Sequence, residues 1–153
     1  MTVSAKSSPM AIAQTTPEDA RQILDRDENA LYLDVRSRRE FEAGHPAGAI
    51  NIPIADSSGG GPLQPNPDFL TVVERHIARD RRLLVGCQSG GRSVKACEVL
   101  SAAGYTDLAN VQGGFGGARD RTGRTITPGW SECGLPTDTG SPDGRSYEDL
   151  KNS

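Results

Sequence analysis

The sequence has little of what several common architectures require. Its three cysteines, Cys87, Cys97 and Cys133, are an odd number separated by ten and thirty-six positions, which fits neither a disulfide framework nor a zinc pattern of the C-x2-C kind. Two histidines, His45 and His76, lie thirty-one positions apart and leave almost no material for an imidazole metal site, so no metal and no other cofactor is expected. No stretch approaches the roughly 18 consecutive apolar residues of a membrane-spanning helix. Residues 1–16 lack the continuous apolar core of a secretory leader. Positive charge is not in excess either. Against 20 Asp and Glu stand 17 Lys and Arg, a net charge of −3 with a pI near 5.4, which argues against nucleic acid or an anionic membrane as the main partner. Thiols without a disulfide pattern suit a reducing compartment, and a cytoplasmic protein, monomer or homodimer, is expected.

What is present fits one domain. The 153 residues are 35% hydrophobic with 18 glycines, close to an ordinary globular share. Of the leucines, isoleucines, valines and phenylalanines, only Val3, Leu135 and Leu150 fall outside residues 12–126, so the core is expected in that central stretch. Thr16-Pro17-Glu18-Asp19 combines a threonine cap, a proline at the first helical position and acids in the first turn, and opens a helix through about Leu24. Residues 31–35 and 50–53 read as strands, with Ser37 capping a short polar helix between them. Residues 55–67, with three consecutive glycines and three prolines, read as a long, mobile loop. Phe69, Leu70, Val73 and Ile77 recur at helical spacing, and residues 83–87 form the most apolar run, a central parallel strand. A helix follows from Gly90-Gly91 with Val94, Cys97, Leu100 and Ser101 on one face, then a strand over residues 108–111. This alternation gives an α/β fold with a mostly parallel central sheet and helices on both faces. From Thr137 onward the composition is too polar to offset ordering entropy, and a loose tail is expected.

In such sheets the site lies at the carboxyl ends of the strands, where Cys87 sits. Cys87-Gln88-Ser89-Gly90-Gly91-Arg92-Ser93 places a thiol at a strand tip, then a tight glycine-containing turn, then a helix. Adjacent glycines let backbone N–H groups point inward as an anion-binding nest at a helix start. A thiol there is expected to be acidic, below the ordinary value of about 8.5. A nearby histidine is not needed for activation, which disfavours a Cys/His pair, although His45 is left open as a spatial neighbour.

At this point the sequence resembles the single-domain rhodaneses, a family of sulfurtransferases. The resemblance covers residues 12–118, flanked by an N-terminal extension, 1–11, and a partly flexible C-terminal one, 119–153. It rests on Leu33-Asp34-Val35-Arg36, Glu40-Phe41, Gly44-His45, the run from Gly48 to Pro53, the Cys87–Ser93 loop and the closing pair Gly113-Gly114, in that order. Two positions depart from the family pattern: Pro46-Ala47 follow His45 in place of the apolar-Pro order, and Gly117 stands where a tryptophan is often found.

The resemblance implies ping-pong transfer of sulfane sulfur. Cys87 takes the outer sulfur of thiosulfate as a persulfide, and a thiophilic acceptor removes it: cyanide in the test tube, or a thiol such as glutathione or a reduced protein. Gln88, Ser89, Gly90, Gly91, Arg92 and Ser93 would cradle the persulfide. Arg92 would attract the donor, while Arg36 either does the same or braces the loop together with Asp34. Two rival classes are a persulfide carrier or binding module serving a protein partner, and a cysteine phosphatase or arsenate reductase. The latter is disfavoured because four residues separate Cys87 from Arg92, one fewer than phosphatases use to surround a tetrahedral phosphate.

The remaining polar and thiol residues read as structural. Cys97 packs in the core, Cys133 is a bystander, and His45 is a hydrogen-bonded turn histidine. Trp130 pins the C-terminal extension to the domain. The arginines from Arg119 to Arg124 are equally a partner patch or a solvated face.

Overall fold

The computed structural model describes residues 12–57, 61–89 and 91–153, so residues 1–11, part of the 55–67 segment and Gly90 of the cysteine loop lie outside it. The chain begins with β1 (Ala13–Thr15), α1 (Pro17–Arg26), β2 (Ala30–Asp34), α2 (Arg38–Ala43), β3 (His45–Pro46) and β4 (Ile50–Asn51). It continues through β5 (Ala55–Asp56), β6 (Gln64–Pro65), α3 (Phe69–His76), β7 (Arg82–Gly86), α4 (Gly91–Ala102) and β8 (Leu108–Val111). It ends with β9 (Ala118–Arg119), β10 (Thr125–Thr127), β11 (Thr137–Asp138) and α5 (Tyr147–Asn152). Thr16 caps α1 by accepting from the Asp19 N–H at 3.1 Å, and Ser37 and Glu40 close a reciprocal capping box at the start of α2.

Five strands pair in the order β1-β8-β7-β2-β4, every pairing parallel. The apolar run that reads as a central strand is the middle one, β7, and Leu83, Leu84 and Val85 are each fully buried because helices cover both faces. Alternation along the strands divides the core. Tyr32, Leu84 and Val111 meet Ala20, Ile23 and Leu24 of α1 and Phe41 of α2 on one face. Leu33, Leu83 and Val85 meet α3, α4 and α5 on the other, through residues such as Val73, Cys97, Leu100 and Leu150. From β2 the chain moves outward to β4 and later returns on the opposite side as β7. The crevice beyond the carboxyl ends of β2 and β7 is therefore the switch point where ligands of parallel sheets bind.

Three expectations change. The tail after Thr137 is a packed strap: β11 pairs antiparallel with β3, and the Asn51 N–H on the edge strand β4 donates to the Arg145 carbonyl at 2.9 Å. Tyr147 and Leu150 then enter the core at 4% and 7% exposure. Composition misses this because two apolar anchors and backbone hydrogen bonds, rather than a hydrophobic run, hold the segment. The 55–67 segment is tied at its base, where β5 and β6 pair antiparallel and the Asn66 side chain donates to the Pro53 carbonyl at 2.9 Å. Val94 faces solvent, and the buried stripe of α4 is Ser93, Ala96, Cys97 and Leu100.

Candidate active site

Cys87 follows the last residue of β7, at the switch point, and is 1% exposed. Its carbonyl accepts from the Phe115 N–H at 2.7 Å, and the Gln88 carbonyl accepts from the Gly116 N–H at 2.9 Å. The segment after β8 thus holds the cysteine loop by its backbone. This close approach is why Gly114 must be glycine: its φ is +54°, and a Cβ there would stand 2.2 Å from the Cys87 carbonyl oxygen. Gly117 is constrained chiefly by its φ of +97°, since the atom nearest to a Cβ there, Glu132 Oε1 at 2.2 Å, ends a flexible side chain, while the Gly129 nitrogen lies 3.2 Å away. The departure from the family's tryptophan therefore has a local cause, the left-handed backbone at this position. Trp130 is fully buried, edge-on to Tyr32 with ring centroids 5.4 Å apart, and its indole N–H donates to the Pro136 carbonyl at 2.7 Å.

The thiol points to the first turn of α4. Cys87 Sγ lies 3.5 Å from Ser93 Oγ, the Ser93 hydroxyl donates to Asn110 Oδ1, and Asn110 Nδ2 donates to Gln14 Oε1 at 2.9 Å. Ser93 is fully buried and Asn110 is 4% exposed, so this polar row starts in the interior and reaches the surface at the exposed Gln14. Asn110 and Gln14 are partners that sequence reading missed. The only signal was a polar residue, Asn110, at an interior position of β8; Gln14, exposed on β1, gave none. Gln88 and Ser89 are exposed, and Gly91 begins α4 with open space where a Cβ would project, so no steric demand for glycine exists at 91.

Both arginines are committed to carboxylates. Arg36 is 2% exposed. It donates from Nε and Nη2 to Asp34, from Nη2 also to the Gly44 carbonyl, and from Nη1 to Gln88 Oε1 at 3.0 Å. Its guanidinium carbon also stands 4.5 Å from the centre of the Phe115 ring. Burial works against the Arg36 charge, but the hydrogen bonds and attraction from Asp34 outweigh it and raise the pKa. This arrangement holds the Gln88 side chain beside the cysteine. Arg92 donates from Nη1 and Nη2 to the two oxygens of Glu40, at 2.8 and 2.9 Å. Burial would raise the Glu40 pKa, yet Arg92 and the Ser37 N–H and hydroxyl reverse the effect and bring it down to about 2. Glu40 was legible as part of a motif but not as the partner of Arg92, because 52 positions separate them.

The other thiols lie apart from this chemistry. Burial, then the Cys87 and Glu98 charges, pushes the fully buried Cys97 up to about 12, and Cys133 is raised by burial and by Glu18 and Glu132. His45 is fully buried, stacked 3.7 Å from the Phe41 ring centre, with Nδ1 at 2.7 Å from the Phe41 carbonyl. Among the described residues no group of three His, Cys, Asp or Glu is placed to hold a metal, and no helix is long and apolar enough to cross a membrane.

Comparison with known proteins adds to this geometry. The sequence profile described as Rhodanese-like domain matches residues 16–119. Thiosulfate sulfurtransferase 16, chloroplastic, of Arabidopsis thaliana is 42% identical over 106 residues, which span 69% of this chain and 78% of that protein. The protein HIGH ARSENIC CONTENT 1, mitochondrial, of the same plant is 42% identical over 84 residues, 55% of this chain and 49% of its own length. The chain thus spans about half of that second relative. The crystal structure of Rv0390 from M. tuberculosis superposes with a TM-score of 0.70 at 32% identity, covering 84% of this chain and 98% of that one. The cytoplasmic expectation is corrected by these findings, because the curated relatives carry chloroplastic and mitochondrial designations. Thiols without disulfides suit a reducing organelle interior as well as the cytosol. With the profile matched over residues 16–119 and a relative at 42% identity over 69% of the chain, the chain belongs to the rhodanese-like domain family.

Proposed function

We propose that this protein is a sulfurtransferase that moves sulfane sulfur from thiosulfate to a thiophilic acceptor through a persulfide on Cys87. The observation that carries the reading is the placement of Cys87. It is a reduced cysteine at the carboxyl end of the middle parallel strand, with its carbonyl fixed by Phe115 and its sulfur set against the first turn of α4. The Cys87 thiolate attacks the outer sulfur of thiosulfate, the S–S bond of the donor breaks, and sulfite leaves with the bonding pair. The persulfide anion remains on the enzyme. Cyanide or a thiolate then attacks the terminal sulfur and returns the Cys87 thiolate. The name of the chloroplastic relative supports thiosulfate as donor. The acceptor inside the cell is a small thiol or a reduced protein.

Intact mass spectrometry after brief exposure to thiosulfate, followed by cyanide with thiocyanate assayed in parallel, tests this reading. The expected result is a gain of one sulfur, lost on cyanide addition and absent in Cys87→Ser. Loading without turnover to cyanide or glutathione would instead make the chain a carrier for a protein partner. No loading from thiosulfate or mercaptopyruvate would refute sulfur transfer at Cys87. Arsenate belongs in the same assay because of the mitochondrial relative's name, and its reduction without sulfur loading would favour the rival class.

A further inference from the structure

We infer that Glu40 sets the charge selectivity of this site, holding back dianionic sulfur donors relative to donors that carry a single negative charge. The inference rests on the Cys87 persulfide reading. A cleft of about 370 Å3 opens beside the cysteine loop, walled by Arg36, Glu40, Gly44, Gln88 and Phe115 among others. One guanidinium, Arg36, lines this cleft, and a second, Arg92, is paired with Glu40 on its wall, as suits an anionic donor, but each already has its carboxylate: Arg36 has Asp34 at 2.7 Å and Arg92 has Glu40 at 2.8 Å. The formal charge of the four groups is zero.

The two pairs are not equivalent. Asp34 is 1% exposed and lies beneath Arg36, out of a ligand's reach, whereas Glu40 forms part of the cleft wall. Glu40 also accepts from the Ser37 N–H at 3.1 Å and the Ser37 hydroxyl at 2.9 Å, so it cannot swing off Arg92 without uncapping α2. With its pKa near 2 it is ionised at any working pH. An incoming dianion therefore meets a fixed negative charge that occupies both outer nitrogens of Arg92, and must compete for that cation.

Two donors of the same chemistry separate charge from reactivity. Thiosulfate is a dianion that releases sulfite, and methanethiosulfonate is a monoanion that releases methanesulfinate. In both, Cys87 thiolate takes the outer sulfur and the leaving anion departs with the bonding pair. The experiment measures kcat/KM for each donor, with cyanide as common acceptor, in the parent, Glu40→Gln, Arg92→Gln and the double variant. Glutamine at the third helical position retains the capping box. The ratio of thiosulfate to methanethiosulfonate is expected to rise about tenfold in Glu40→Gln, since one fixed charge acts on one extra donor charge across a half-exposed, screened distance. It should fall in Arg92→Gln, where Glu40 is left uncompensated, and return toward the parent value in the charge-neutral double variant. Should Glu40→Gln fail to fold, Arg92→Gln reads the same interaction with opposite sign. A ratio unchanged in both single variants, with Cys87 still loaded by both donors, overturns the role given to Glu40. Absence of Cys87 loading from either donor in the parent overturns the sulfur-transfer reading itself.

Discussion

Replacing Gly114 by alanine isolates the packing that holds the cysteine loop, and Gly48→Ala supplies the internal reference. Both glycines have positive φ, +54° and +85°, so both alanines carry the left-handed backbone cost of roughly 1–2 kcal/mol. They differ in what the new methyl meets. At Gly48 nothing lies within 4 Å, whereas at Gly114 the methyl would stand 2.2 Å from the Cys87 carbonyl oxygen and 2.8 and 2.9 Å from the Cys87 and Gln88 carbonyl carbons. Those are backbone atoms, which cannot rotate aside. Relief requires the two segments to part by about an ångström, with an overpacking cost of about 1–3 kcal/mol. The 2.7 Å hydrogen bond from Phe115 to the Cys87 carbonyl would also be lost, at roughly 1 kcal/mol. Gly114→Ala is thus expected to be less stable than Gly48→Ala by about 3 kcal/mol in urea unfolding, and to melt roughly 10 °C lower. It should also load sulfur from thiosulfate at least tenfold more slowly, because the displaced carbonyl belongs to Cys87, the residue proposed to carry the sulfur. Equal stabilities of the two variants, within about 0.5 kcal/mol, would refute the claim that the Gly114 turn positions Cys87.

Three further expectations concern the strap, the second thiol and acid. Leu150→Ala leaves a cavity under α5 and should cost about 2–4 kcal/mol, with trypsin cleavage at Arg145 appearing first as the strap detaches; unchanged proteolysis would mean that α5 is not anchored by this side chain. Cys97, with its pKa near 12 and no exposed surface, should resist iodoacetamide at neutral pH in the native protein and react only after unfolding in urea. The Glu40 pKa is about 2 in the folded chain against the ordinary 4.5, so its contribution to stability is complete above about pH 4.5 and is lost as pH falls toward 2. The urea midpoint should accordingly decline over that window, and decline less in Glu40→Gln; parallel profiles for the two proteins would refute the assignment.

Much of the fold could be read from local sequence, because the elements that make it declare themselves locally. The Thr16-Pro17 start, the Ser37–Glu40 box and the wholly apolar residues 83–85 each carry a capping or burial signal within a few positions, and all three stand where those signals put them. The tail did not, for a physical reason. Its order comes from pairing with β3, from the Arg145 carbonyl on the open edge of β4 and from two anchors, Tyr147 and Leu150. Each of these is a contact with a distant partner, and none alters the local composition that suggested looseness. The small strand β1 is similar: Ala13–Thr15 shows no strong strand pattern and is ordered by its register against β8.

The site divides along the same line. A cysteine at a strand tip before a helix is a local feature, and the placement of Cys87 follows from it. What surrounds the thiol is non-local. Ser93 is drawn to Asn110 across the sheet, Arg36 is consumed by Asp34 below it and Gln88 beside it, and Arg92 meets a carboxylate from a different helix. Sequence counts cations near a loop, and two arginines beside a cysteine read as attraction for a dianion. Attraction depends on charge left uncompensated after folding, and here each arginine has found an acid close enough to cancel it. The net charge at the mouth is therefore a property of pairing rather than of composition, and the same Cys87–Ser93 loop in a relative lacking an acid at position 40 would present Arg92 to its donor.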